Sequence, residues 1–409
     1  MFETPPFFDC QRCGAASTFG ILHIGDKRLS QRCSRCRFTV PTSLPALDKK
    51  VIYLDQFAIS NVYKIRAGET LKQPLVHDFW VEFDRRITRA QMSQAAIFPA
   101  SDIHKDETIV SRFPSELRIA HEMFSGDTSF EDSESLLREQ ETAFAKAYIN
   151  GEHTPDFEFY IDDALKGHRN AWLSRLHITV NSDYSSFADG IRESRERLHT
   201  AMLPLYGRWQ TEKPTFEAVL REELTAYGKA RVQAAVNTWN DYAAATAQED
   251  FDKMFYISMS NGMRQMMTMI RTFAHYGVSE EECLPKLFQF WQWPELEKLP
   301  YHKIAAHLFA ATAARLASGQ KKFPSPGLSN DIKAISTYAP YVDAMFVDIE
   351  CENLLNDGRL RVLTYKARIF SKATSNDFFN YLEGLESSLT DDVKHWTRFL
   401  YGLSPLPSS

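Results

Sequence analysis

Lys50-Val51-Ile52-Tyr53-Leu54-Asp55 and Tyr341-Val342-Asp343-Ala344-Met345-Phe346-Val347-Asp348 are the two stretches on which the fold turns. Each is a short β-branched and aromatic run that ends in a carboxylate, the pattern of a buried strand that opens onto a helix. QFAISNVYKIRAG follows the first run as a helix. Working outward, Ala95–Ala100 reads as a second strand, and Ser101-Asp102 caps a helix over HKDETIVSRF that Pro114 ends. Ahead of the second run, DIKAISTYA suits a helix; after it come a strand in RVLTYKARIFS and a closing helix in SNDFFNYLEGLESSL. Strand and helix alternate at both ends of the chain, which predicts one parallel α/β sheet with strands drawn from residues 50–110 and 330–375.

Between these ends, the long Ala-, Leu-, Glu-, Arg- and Met-rich stretches FEAVLREELTAYGKARVQAAVNTWNDYAAATAQ and NGMRQMMTMIRTFAHYG predict a helical block. Its Met and aromatic residues at helical spacing read as packing rather than as a ligand box. The expected organisation is a small N-terminal module over 1–46, an α/β domain from 47–115 and 328–409, and an all-α insertion over 116–327.

Composition bounds the rest. The 409 residues suit two or three folded units, and 44% hydrophobic, 24% charged, 17 Gly and 18 Pro exclude collagen-like and disordered classes. Formal net charge is -6, from 47 Lys+Arg against 53 Asp+Glu, so contact with a polyanion has to be local. The start MFETPPFFDC has no secretory pattern and no uninterrupted apolar run of spanning length occurs, so a reducing cytoplasm without membrane contact is expected. Walker A, GxGxxG, GxSxG and HExxH patterns are missing.

Four of the six cysteines form two CxxC pairs, Cys10/Cys13 and Cys33/Cys36. Two pairs at this spacing offer four thiolates to one ion, as in a closed structural zinc ribbon, with a redox dithiol pair or unpaired thiols as the alternatives. About 40 residues with few large apolar side chains then need zinc to fold. The segment from Lys27 to Arg37, around the second pair, carries Lys27, Arg28, Arg32, Arg35 and Arg37 with no acidic residue among them. They offset the negative charge of a four-thiolate centre, and they suit contacts to nucleic-acid phosphates or a merely solvated face.

Asp55 and Asp348 end their strands, Glu107 lies in the helix after the second strand and Asp331 starts a helix. In an open α/β sheet both strand-terminal acids reach the crevice beyond the strands' carboxyl ends. Like charges gathered there repel unless divalent cations neutralise them, and oxygen donors suit Mg2+ or Mn2+.

VIYLD(55), AIFPASDIHKDE(107) and SND(331)IKAISTYAPYVDAMFVD(348) resemble the PIN-like nuclease superfamily, over roughly residues 50–115 and 328–385. The resemblance implies a three-layer α/β/α fold around a parallel sheet, with Asp55, Glu107, Asp331 and Asp348 holding catalytic Mg2+ or Mn2+. It further implies hydrolysis of phosphodiester bonds, most readily in RNA, to 5′-phosphate and 3′-hydroxyl ends. Gln56 and Phe57 depart from the small hydroxyl residue and Asn that usually follow the first Asp of that superfamily. Asp102, His104 and Asp106 compete with Glu107 for its place, and Asp343 is either an accessory ligand or an acid fixing the strand entry. Lys321, Lys322 and Lys333 flank Asp331 as phosphate contacts. By analogy, a toxin or antiviral-defence effector is conceivable.

Two further patterns carry less. Arg192 and His199 match the Arg–His pair of helical ribonucleases, against an ordinary charged helix face; His302 and His307 are spaced i, i+5 and read as core or surface histidines rather than ligands. Against the nuclease stand a non-catalytic nucleic-acid-binding module and an interaction protein whose helical insertion docks a protein partner or a second copy.

Overall fold

A computed structural model describes residues 3–126, 128–155, 157–174 and 185–403. At the N-terminus, β1 (Thr4–Phe8), β2 (Phe19–Ile24), β3 (Arg28–Cys33) and β4 (Thr39–Ser43) form an antiparallel meander in that order. β5 (Lys50–Leu54) and β6 (Ala96–Ile97) start a second sheet, the short antiparallel pair β7 (Ser129–Phe130) and β8 (Leu165–Lys166) lies apart, and β9 (Ala344–Phe346) and β10 (Arg368–Phe370) complete the second sheet. That sheet is parallel throughout, ordered β10-β9-β5-β6.

The strand order has a physical consequence. From β5 the chain moves outward to β6, whereas from β9 it moves outward to β10 on the other side. β5 and β9 are therefore the point where the winding reverses, and the helices leaving them diverge to open a crevice beyond their carboxyl ends.

Alternation along the strands sends side chains into two cores. Val51, Tyr53 and Met345 pack with helices Pro300–Ala317, Leu328–Tyr338 and Ile349–Leu355; Ile52, Leu54, Ala344 and Phe346 pack with Gln56–Arg66, Pro74–Met92 and Ser375–Ser387. Both faces of the sheet are thus covered by helices.

The strand expected in RVLTYKARIFS shrinks to Arg368–Phe370, because β9 offers only three residues for it to pair with, Arg368 to Ala344 through Phe370 to Phe346. Parts of the helical block pack on the sheet. Ala120 and Phe124 belong to one core of the sheet and Ile304 and Leu308 to the other. A further core, away from the sheet, gathers Met263, Met266, Met269, Phe273, Phe290 and Trp291 with Leu137 and Phe144, so the Met and aromatic stripe is packing.

The N-terminal module rests on the rest of the chain. Ile21, Ile24, Leu29, Leu44 and Leu47 share a core with Trp172, Val393 and Leu400, Phe8 stacks on Phe399 at 6.0 Å, and Trp172 Nε1 donates to Pro45 O at 2.9 Å. Apolar burial against helix Asp391–Tyr401 therefore adds to whatever a metal contributes. Among the described residues no helix is long and apolar enough to cross a membrane.

Candidate metal centre

Asp55 follows β5 directly and caps helix Gln56–Arg66, its carboxylate accepting from Phe57 N–H at 3.4 Å. Its own N–H donates to Phe346 O at 3.0 Å, extending the β5–β9 pairing by one step. Asp348 plays the same part after β9, capping Ile349–Leu355 and accepting from Cys351 N–H at 2.6 Å. Two neighbouring parallel strands thus end in caps, and both carboxylates sit at the positive ends of helices on one sheet edge. Asp331, in the first turn of Leu328–Tyr338, completes the group: one carboxylate oxygen each of Asp331 and Asp348 and the Cys351 Sγ lie within 4.8 Å of one another.

The acids feel one another. Burial, then Glu107 and Asp348, push Asp55 up to about 8. Burial, then Asp55, Asp348 and Glu107, push Asp331 up to about 9. Glu107 is raised by burial, against the amide of Asn330, which donates to its Oε1 at 3.1 Å, and Arg195, whose Nη2 stands 3.7 Å away. Glu350 is raised by burial and by Asp348, with Arg315 and Lys322 opposing. The group of Asp331, Asp348 and Cys351 thus lies within electrostatic reach of Asp55 and Glu107.

Their rivals lie elsewhere. Asp102 accepts from Ser133 N–H at 3.2 Å, Ser133 Oγ at 2.5 Å and the Tyr338 hydroxyl at 2.9 Å, which ties helix ends together. His104 is buried in a capping box with Ser101. Asp106 is on the exposed side of the same helix. Asp343 accepts from Val51 N–H at 2.9 Å and pairs with Lys366 at 3.1 Å at the opposite end of the sheet, so it fixes the strand entry. Gln56 donates to Thr108 Oγ1 at 3.1 Å, and its Oε1 lies 2.8 Å from His121 Nε2, joining three helices behind the acids.

Cys351 is the member that the sequence pattern misses. It is 1% exposed, and its thiol is pushed well above the ordinary range by burial and by Asp331 and Asp348. Its signal is positional: three residues into the helix that Asp348 caps, it faces back toward the cap. Of the flanking lysines, Lys321 and Lys322 are exposed and Lys333 pairs with Glu134 at 3.8 Å. Arg192 is exposed and pairs with Asp189 at 2.8 Å, eight-turn helix Ser185–Glu212 presenting it to solvent; His199 is half-buried on that helix. His302 Nε2 lies 3.0 Å from Leu224 O and His307 Nδ1 2.7 Å from Lys303 O, both buried among packing residues.

The cysteines build a second candidate site. Gly14 N–H donates to Cys10 O at 2.9 Å and Arg37 N–H to Cys33 O at 3.0 Å, so each CxxC closes the same turn. The residue after each pair takes the left-handed conformation, Gly14 at φ 68° and Arg37 at φ 62°. All four Sγ atoms lie within 4.8 Å of one another, with Cys10–Cys36 at 3.6 Å and Cys13–Cys33 at 3.9 Å. Four sulfurs about 2.3 Å from a tetrahedral ion stand about 3.8 Å apart, so the group has the donors and spacing to hold a structural zinc. Burial opposes a Cys33 thiolate, yet donation from the N–H of Cys36, the Thr18 hydroxyl and the N–H of Arg35 outweighs it and brings the thiol down to about 6.

The five basic residues of this module are divided. Arg32 is neutralised by Glu3 at 2.6 Å. Lys27 and Arg28 are exposed at one end of β3, while Arg35 and Arg37 are exposed beyond its other end, about 15–20 Å away for a strand of this length.

Compared with protein-family models, curated proteins and solved structures, the chain matches none.

Proposed function

We propose that this protein is a divalent-metal-dependent nuclease that hydrolyses phosphodiester bonds, with RNA the favoured substrate, and that its α/β part is PIN-like. What supports the reading is the grouping of the Asp331 and Asp348 carboxylates within 4.8 Å, with Asp55 and Glu107 close enough to raise the Asp331 carboxyl, at the crevice where the sheet's winding reverses. The residues fit a cation: the strongest influences on Asp55 and Asp331 are burial and other carboxylates, an arrangement that costs free energy until positive charge enters it.

Carboxylate oxygens suit Mg2+ or Mn2+, and the nearby Cys351 sulfur favours Mn2+ of the two. Asp55, Asp331 and Asp348 would hold one ion, and Glu107 with Asp55 a second. When bound, such ions lower the pKa of a coordinated water and offset charge on the scissile phosphate. The chain does the rest: both helix caps fix their carboxylates before any ion arrives, and Asn330 and Arg195 hold Glu107 in place. The cysteine module with a bound zinc, and its exposed Lys27, Arg28, Arg35 and Arg37, would supply phosphate contacts outside the crevice. A cytoplasmic toxin or antiviral-defence effector is the setting that the PIN-like reading suggests.

Incubation with a mixed single-stranded RNA pool and with single-stranded DNA, with and without Mn2+, tests this. The expected result is Mn2+-dependent cleavage of RNA to 5′-phosphate ends, lost in both Asp331→Asn and Asp348→Asn. Salt-sensitive RNA binding without turnover would replace the nuclease by a binding module.

A further inference from the structure

The short helix Phe251–Ser258 has no buried residue. It folds back along the end of Phe216–Ala247 and turns Met254, Ile257 and Ser258 toward that support. Its outer side carries Phe251 at 74% exposure, Phe255 at 61%, Tyr256 at 74% and, at the C-cap, Met259 at 56%. Scattered apolar residues on a surface are ordinary, but four large ones within nine positions are not. Taking about 200 Å² for a whole aromatic side chain, they leave about 500 Å² of apolar surface on a two-turn helix. Trp239, on the supporting helix, is 53% exposed and level with the far end of Phe251–Ser258.

We propose that this face is a homodimer interface, in which the helix Phe251–Ser258 pairs antiparallel with its copy across a two-fold axis at Phe255. Phe251, Phe255 and Met259 are spaced by four, so they form one stripe, and that stripe reads alike in both directions. Reversal about Phe255 sets Phe255 on its own copy and Phe251 on the copy's Met259, apolar against apolar at every step, as an isologous contact requires. With Trp239 the exposed apolar area is about 600 Å² per partner, so about 1,200 Å² in all, the lower end of a specific interface. The stripe is rimmed by Glu249, Asp250 and Asp252 against Lys253 alone on this helix and its entry, so an anionic lipid surface is repelled.

Sedimentation and light scattering on the full chain test the proposal. The wild type is expected at twice 47.0 kDa in the tens-of-micromolar range, and the double variant Phe255→Ser, Tyr256→Ser at 47.0 kDa with an unchanged thermal melt. Phe255→Cys, mildly oxidised, is expected to form a disulfide-linked dimer, since the axis brings the two copies of this position together. A monomeric wild type at that concentration, a variant that still dimerises, or an apolar helix that instead binds neutral vesicles as a monomer overturns it.

Discussion

Asp331 carries the sharpest consequence at the scale of a single residue. Its carboxyl sits near 9 in the folded metal-free chain against an ordinary 3.8. Between pH about 4 and 9 the unfolded chain has lost a proton that the folded chain retains, so folding takes up a proton and stability falls as pH rises through that window. Asp331→Asn removes this group's share of the dependence and leaves that of Asp55, which burial and its neighbours also raise. In chelator, the variant is expected to melt above the wild type at pH 8, with the gap closing toward pH 4, and a series of thermal melts checks it. Mn2+ is expected to raise the wild-type melting temperature more at pH 8 than at pH 5 and to leave Asp331→Asn unmoved. Equal melting of the two proteins at pH 8 would count against a buried cluster of acids. Asp55, Asp331 and Asp348 were legible because each ends a strand or opens a helix, places marked by local pattern; Glu107, late in helix Asp102–Ile109, carries no such mark. Cys351 was not, since its one local sign, the third position of a capped helix, serves a core thiol equally well. Gln56 was equally opaque: its partners Thr108 and His121 lie 52 and 65 positions away.

Among the elements, the crossing of Phe216–Ala247 over the end of Glu280–Trp291 sets a limit that helix propensity alone inverts. A Cβ at Gly228 would stand 1.7 Å from Trp291 O. An isolated helix gains about 1 kcal/mol from Gly→Ala, whereas the overpacking here costs about 1–3 kcal/mol or more. Gly228→Ala is therefore expected to destabilise, by a denaturant midpoint below the wild type's at unchanged slope; a stabilised variant would mean that the helices do not meet at this point. Strand and helix types at the two ends of the chain were readable from period and caps. Limits were less so, for reasons of partnership: β10 stops where β9 stops, and helix Pro114–Ser125 joins the sheet through Ala120 and Phe124, residues that any amphipathic helix could place on its inner face.

At the scale of the whole molecule, the first and last elements lean on each other. Ile21, Leu29, Val393 and Leu400 share one core, so loss of metal from the cysteine module is expected to loosen helix Asp391–Tyr401 as well. Hydrogen exchange after treatment with a thiol-competing chelator is expected to accelerate at 4–43 and 391–401 and to leave β5 and β9 protected; uniform protection throughout would show that the four cysteines bear no ion. The pairing of β5 with β9 has a further consequence for how the protein comes into being. Val51 and Asp343 are 292 positions apart, so during synthesis β5 leaves the ribosome long before the strand that completes its edge. At about 5–20 residues per second the wait is on the order of fifteen seconds to a minute. Throughout that interval Asp55 has no Asp331 or Asp348 beside it, and a nascent or prematurely terminated chain cannot assemble the crevice. Whatever depends on Asp331 and Asp348 standing beside Asp55, the proposed hydrolysis included, is therefore withheld from every incomplete copy.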